Sequence, residues 1–434
     1  MSIDTSIWYE SLPDKWISIK LKYIVDLRNE KIFGGESQNY IGLENIESKT
    51  GKFLPSINSE INIEGISNQF YKGDILFGKL RPYLAKCVEA EFDGVGTTEL
   101  LALKGNTKLI LSKYLKFMML SPKFIDYINS STYGTKMPRA SWDFIGNIEV
   151  PLPSISHQQI ITDFITSKMS NVDRLILQKE HLINLLEQQR QSIITEAVTK
   201  GLNPNVKMKD SGVEWIGKIP DHWKLVKIKN LIVSKKGAVK TGPFGSQLTN
   251  NDMNGNDVKI YNQRTVLDND FVKGDYYISK EKYDELKSFE LYPGDIVITT
   301  RGSIGKAAIV PNNIECGILH PCLIRMQLCP NLIEFKLIEI IFNETNFIKK
   351  QIEIMSNSTT IEVIYSETLK NLSIVLPSKE EQQELLIYIE NILKDYNRII
   401  FNQKKQVEKL KEYRQSLIYE AVTGKIDVRE MEID

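Results

Sequence analysis

The segment RQSIITEAVT, Arg190 to Thr199, returns as RQSLIYEAVT, Arg414 to Thr423. A chain that writes itself twice folds as two versions of one plan, which excludes most single-core architectures. The spacing is 224 residues (414 − 190), and it also carries Pro153-Ser154 onto Pro377-Ser378 and Gln158-Gln159 onto Gln382-Gln383. The same spacing takes Phe124 to Ile348 and Ile128 to Ile352. Nearer the front, WYESLPDKW from Trp8 returns as WIGKIPDHW from Trp215, now 207 residues on (215 − 8). Between these anchors the spacing drifts through 221 (293 − 72), where KGDILF from Lys72 matches PGDIVI from Pro293. The ends of each unit are therefore constant and its middle has diverged. Constant segments build a shared frame, and variable ones carry whatever differs between the halves.

Each unit reads in two parts. The first, roughly 8–150 and 215–374, holds short β-like runs such as Gly73 to Phe77, Leu100 to Leu103, Gly294 to Ile298 and Ala307 to Val310. Gly, Asn and Pro punctuate them as turns require. A helical stretch closes each first part, Ser112 to Asn129 and Leu332 to Met355. The second part opens on a strand and a proline stop, IEVPLPS or SIVLPS, and continues as one long helix of about 40 residues, about 60 Å. Its expected stripe is Ile161, Phe164, Lys168, Val172, Leu175, Lys179, Leu182, Leu186, Gln189 and Ile193. In the second copy it is Leu385, Tyr388, Ile392, Tyr396, Ile399, Gln406, Leu410, Tyr413 and Leu417. A rod that long outreaches its own domain, so the two helices are expected to bury their stripes on each other as an antiparallel coiled coil. The fold class is α+β: two mixed α/β domains and two long helices in a pseudo-two-fold internal repeat.

Composition is that of an ordinary globular protein, 42% hydrophobic and 25% charged, with no apolar run near the roughly 20 residues of a membrane span. The amino-terminal residues lack a signal-peptide layout, so a cytoplasmic location is expected. Zero net charge disfavours a protein that grips nucleic acid with its whole surface and leaves local basic patches open. Cys316, His320, Cys322 and Cys329 fall close together, yet their spacing matches no CxxC-type zinc pair. Buried thiols in a strand pair are the expected state, and no metal site is assigned.

Catalytic signals are missing. No GxxxxGK[ST] loop is present, Asn203-Pro204-Asn205-Val206 only echoes an adenine-methylating tetrapeptide, and no helix pattern follows Gly94-Val95-Gly96. Pro13-Asp14 and Pro220-Asp221 read as turns before a strand. Asp74 and Asp295 read the same way, although as a duplicated acidic pair they leave an orphan hydrolase as one competing reading.

The stretch GLNPNVKMKDSGVEWIGKIPDHWKLVKIKNL, Gly201 to Leu231, resembles the central conserved region of Type I restriction-modification specificity subunits. The paired VPLPSISHQQIITDFI and VLPSKEEQQELLIYI, each leading into a long helix that ends in EAVT, are similar to the family too. So are YIGLENIESKTG and KGDILFGKLRPYLAK in the first variable part, and TGPFGSQL and YPGDIVITTRGSIGKAAIV in the second. His157 departs from the acidic residue usual before the glutamines, which Glu381 keeps. The resemblance implies a first target-recognition domain over 1–150, a central conserved helix over 151–203, a second target-recognition domain over 204–376 and a C-terminal conserved helix over 377–434. It implies a non-catalytic protein that reads a bipartite double-stranded DNA target for two methyltransferase subunits and for restriction-translocase subunits. S-adenosylmethionine and ATP are then expected on those partners and no cofactor on this chain.

Base reading needs donors and acceptors that reach base edges, with other basic groups on phosphates. The candidates are Lys79, Arg81, Tyr83, Lys86, Lys136 and Arg139 in the first half, and Lys235, Lys236, Lys240, Arg264, Arg301 and Ser303 in the second. The arginines Arg81, Arg139, Arg264 and Arg301 lead, because a guanidinium pairs bidentately with guanine or phosphate. A reading from another class is a structural coiled-coil adaptor whose end domains bind proteins.

Overall fold

Both Gly-Asp pairs close a turn and start a strand. In the computed structural model, which describes residues 8–37, 39–55, 61–134, 136–214, 216–274, 276–356 and 363–431, the Asp74 carboxylate accepts the Tyr71 N–H at 2.8 Å. Asp295 accepts that of Tyr292 at 2.9 Å. Gly73 and Gly294 stand at φ 87° and 82°, a backbone region that side chains avoid. Arg28 Nη2 donates to Asp74 at 3.1 Å and Gln327 Nε2 to Asp295 at 2.8 Å. Both acids are thus consumed in turns, which removes the basis of the hydrolase reading. The Pro-Asp segments are turns as well: the N–H groups of Trp16 and Trp223 bond the carbonyls of Pro13 and Pro220. Trp215 lies outside the described residues.

Two units divide the chain: Met1–His181 with Gln403–Asp434, and Leu182–Asn402. In the first unit, Ile17–Lys20 pairs antiparallel with Glu149–Leu152. An antiparallel sheet follows in the order Val25–Leu27, Leu100–Gly105, Ile75–Gly78, Cys87–Glu89. A second sheet orders Lys31–Ser37, Ile61–Phe70, Gly94–Thr97 and Tyr40–Ile41, the last pair parallel. Gly94 is where that pair closes, since a Cβ there would sit 2.2 Å from the Asn39 carbonyl oxygen. The expected single helix after Ser112 is two, Ser112–Leu120 and Pro122–Ser130, because Pro122 turns Ser121 away from helical geometry.

The second unit repeats the plan. Lys224–Lys227 pairs with Ser373–Leu376, and an antiparallel sheet runs Val239–Thr241, Leu323–Met326, Ile296–Thr299, Ala307–Ile309. The counterpart of Tyr40–Ile41 is Val258–Tyr261, parallel to Gly317–Leu319. Here too the closing helix is two, Phe335–Glu344 and Phe347–Ser356. The middles differ. Where the first unit carries the long ribbon of Lys31–Ser37 and Ile61–Phe70, the second carries the short helices Gln263–Asp268 and Lys280–Leu286.

The long helices are Ile155–Lys200, 46 residues, and Lys379–Val422, 44 residues. Each begins on a glutamine staple. Gln158 accepts the Leu111 N–H and donates to the carbonyls of Leu109 and Pro153. Gln382 makes the same three bonds to Glu334, Leu332 and Pro377. The motif's acidic position also has a visible role: Glu381 accepts Trp223 Nε1 at 2.9 Å, whereas His157 packs its ring against Trp16.

Both units contain half of each helix, and inside each unit the halves pair. In the first, Asp173 meets Arg414 at 2.8 Å and Lys179 reaches Gln403 at 3.1 Å, an antiparallel order. In the second, Arg190 donates to Asn397. The expected stripe is one residue out of register along much of its length. Ile165, Met169, Val172, Ile176 and Ile183 are buried, while Leu175 and Leu182 are exposed. On the other helix Ile389, Ile400, Val407 and Arg414 replace Tyr388, Ile399, Gln406 and Tyr413. The seam keeps a strict three-four alternation but runs through polar side chains, so following the largest apolar residues drifts off it.

Candidate nucleic-acid interface

Two loops far apart in sequence are zipped together in the first unit. The Lys79 N–H bonds the Glu99 carbonyl at 2.9 Å, Ala140 N–H bonds Lys79 O at 3.0 Å, and Arg81 N–H bonds Pro138 O at 2.8 Å. The loop 79–86 and the loop 133–140 therefore form one surface. Arg81, Tyr83 and Lys136 are exposed on it, with Tyr133 and Met137 beside them. Arg81 sits at φ 51°, a strained position held by the proline that follows it in a short 3-10 turn. Arg139 lies deeper, with Nε 3.2 Å and Nη2 3.0 Å from the Glu99 carboxylate. That carboxylate raises the affinity of the guanidinium for its proton. Lys86 belongs to the scaffold: its ammonium donates to the carbonyls of Leu43 and Ile46.

The second unit uses the same backbone frame. Gly78 N–H to Lys86 O becomes Thr299 N–H to Lys306 O, Lys79 N–H to Glu99 O becomes Thr300 N–H to Cys322 O, and Ala140 N–H to Lys79 O becomes Ile364 N–H to Thr300 O. All six distances lie between 2.8 and 3.0 Å. Arg301 and Ser303 stand on this loop, and Gln263 Nε2 donates to the Arg301 carbonyl at 2.9 Å. That bond brings the exposed Arg264, on the helix Gln263–Asp268, to the same edge; its guanidinium pairs with Asp268 at 3.2 Å.

Lys235, Lys236 and Lys240 do not join that edge. Lys240 pairs in register with Arg325, its ammonium over the Phe289 ring at 4.4 Å and 3.2 Å from Ser288. Lys235 and Lys236 are exposed in the turn before Val239–Thr241, at the end of the sheet where Asp295 lies. A four-residue strand separates that end from Thr299, roughly 13 Å.

The thiols differ from expectation. Cys316 is exposed, and Cys322 and Cys329 are half-buried: the first two immediately precede the strands Gly317–Leu319 and Leu323–Met326, and Cys329 lies beyond the end of the latter, so none fills a strand pair. His320 Nδ1 accepts the Cys322 N–H at 3.2 Å and lies 2.9 Å from its Sγ. Burial lowers the His320 pKa and raises that of Cys322, which favours a neutral imidazole beside a thiol donor. Among the described residues no group of three or more potential ligands comes together, and no helix is long and apolar enough to cross a membrane. Glu99, Tyr133, Met137 and Gln263 are the residues that sequence reasoning passed over. Tyr133 and Met137 lay within a loop already marked by Lys136 and Arg139, whereas an acidic residue such as Glu99 carries no local signal for DNA.

Each unit thus combines one antiparallel and one mixed sheet, an exposed loop edge and a pair of helix segments. A family model for the Type I restriction modification DNA specificity domain matches residues 220–409. The MjaVIII specificity subunit of Methanocaldococcus jannaschii is 26% identical over 349 residues, 78% of this chain and 76% of that one. The EcoBI specificity subunit of Escherichia coli is 22% identical over 96% of this chain and 87% of its own length. A solved structure from work on assembly and conformational transition of the type I restriction-modification system shares the fold. Its TM-score is 0.68 at 16% identity, over 96% of this chain and all of that one. The chain is thus similar to Type I restriction-modification DNA specificity subunits, in sequence through residues 220–409 and in fold over nearly its whole length, a likeness that supports a role in DNA sequence specificity. Both of these relatives are specificity subunits, so the likeness supports a non-catalytic role over the adaptor and hydrolase readings.

Proposed function

We propose that each unit reads one half-site of a bipartite duplex target and that the chain thereby directs adenine methylation and restriction by partner subunits. Two methyltransferase subunits would carry S-adenosylmethionine, and restriction-translocase subunits would use ATP. The observation that supports this most is the repeated frame: the same three backbone bonds hold 78–86 and 299–306, while the side chains on them differ. A frame kept constant under changing side chains suits two readers of unlike sequence. The similar solved structure concerns assembly of a type I system, which favours partner subunits here as well. The test is reconstitution. The purified chain alone methylates and cleaves nothing; with its cognate methyltransferase subunits and S-adenosylmethionine, adenines become methylated at one discontinuous motif. Methylation or cleavage by the rigorously purified chain would overturn the proposal.

A further inference from the structure

Glu99 is an odd residue for a surface that meets phosphates, yet it sits at the centre of the first unit's loop pair. Its carbonyl takes the Lys79 N–H, and its carboxylate, 24% exposed, grips Arg139. The Arg139 backbone is pinned in turn, exchanging hydrogen bonds with Tyr133 at 3.1 and 3.4 Å. An ion pair this near the surface contributes little to stability, so folding alone gives little reason for it. Its geometry does more. Nε and Nη2 face Glu99, while Nη1 makes no hydrogen bond among the described residues and the guanidinium is 36% exposed. The edge formed by Nη1 and the second Nη2 hydrogen is left outward, and two parallel N–H donors match the O6 and N7 acceptors of guanine in the major groove.

The second unit lacks this device at the same frame positions. Cys322 stands where Glu99 does, bonded to Thr300 as Glu99 is to Lys79. Val363, which precedes the frame residue Ile364, stands where Arg139 precedes Ala140. Neither side chain offers a guanidinium or a carboxylate to hold one.

Resting on the reading that the first unit recognises one half-site, we infer that Arg139 reads a guanine there and that Glu99 is its positioning residue. A side chain locked in one orientation loses less freedom on meeting its base and tolerates the wrong base less. The carboxylate also lies where it repels a phosphate, which confines the guanidinium to the groove.

The experiment expresses the full chain with its cognate methyltransferase subunits in cells and maps methylated DNA by single-molecule sequencing. The variants are Glu99→Ala, Glu99→Gln, Arg139→Ala and the double Glu99→Ala/Arg139→Ala. Arg139→Ala and Glu99→Ala are expected to relax the same single G·C position of one half-site at least tenfold. The double variant should be no more relaxed than Arg139→Ala, and Glu99→Gln, which keeps an acceptor, should hold most of the preference. The other half-site stays unchanged throughout. An unaltered motif in Glu99→Ala, relaxation at different positions in the two single variants, or a uniform loss of methylation with a lowered unfolding midpoint would each overturn the inference. Wild-type protein that directs no sequence-specific methylation would instead sink the half-site reading beneath it.

Discussion

Among the basic side chains proposed as DNA contacts, Lys86 and Arg81 are only a few residues apart and have opposite surroundings. Lys86 is half-buried and satisfies the carbonyls of Leu43 and Ile46, whereas Arg81 is exposed on a loop held by its own backbone. Removing the ammonium leaves the Ile46 carbonyl without a donor among the described residues and the Leu43 carbonyl with only the Ile46 N–H, and an unmet buried acceptor costs about 1–3 kcal/mol. Lys86→Met should therefore lower the urea midpoint of the full chain and leave the methylated motif as it was. Arg81→Ala should do the reverse, weakening DNA binding with the midpoint unchanged. A stable Lys86→Met protein with a changed motif would return Lys86 to the reading surface. Lysine looks alike in sequence whichever partner it finds, and only the surroundings separate the two roles.

At the scale of elements, the start of each long helix shows how the repeat is used. Gln158 and Gln382 are fully buried, and each amide spends one acceptor and two donors on the loop before the closing helices and on the proline stop. The staple fixes the direction in which the helix leaves its domain. Gln382→Leu keeps the bulk but strands one N–H and two carbonyls, so a loss of about 1–3 kcal/mol is expected in chemical denaturation. Gln383→Leu, one position along on the exposed face, serves as the control and should change stability little. Equal effects from the two would show that the amide is not the anchor. The helices themselves carry polar seam positions, Lys179 with Gln403 and Asp173 with Arg414, where side chains hydrogen-bond across the pair. Such positions contribute register more than stability.

For the molecule as a whole, the division of the chain matters more than its length. The first unit is built from both chain ends: Leu417, Ile418 and Val422 share a core with Leu21, Tyr114 and Phe124, and the Tyr114 hydroxyl donates to the Val422 carbonyl at 3.0 Å. The second unit is one continuous stretch. A graft that replaces residues 8–150 with the matching segment of one of the specificity subunits it resembles must keep those core contacts. A graft that does so should exchange one half-site and preserve the other, read by sequencing of methylated DNA. Both half-sites changing together, or neither, would show that the units do not read independently.

By itself, the sequence determined the repeat, its constant ends, the long helices and the absence of nucleotide or methyltransferase motifs. Each is a local or periodic property: RQSIITEAVT against RQSLIYEAVT, a proline stop before Gln158 and Gln382, runs of 3.6 or 2 residues. Tertiary structure decided the rest. It chose the helix seam one residue away from the stripe of large apolar side chains, because Ile176 and Ile183, not Leu175 and Leu182, face the paired helix. It built a ribbon in one unit and short helices in the other from the diverged middles. Above all it brought Glu99 to Arg139 and Gln263 to Arg301, across 40 and 38 residues of chain. Periodicity reports which side of an element is buried, whereas a binding surface depends on which elements meet, and that is settled by long-range pairing that leaves no local trace.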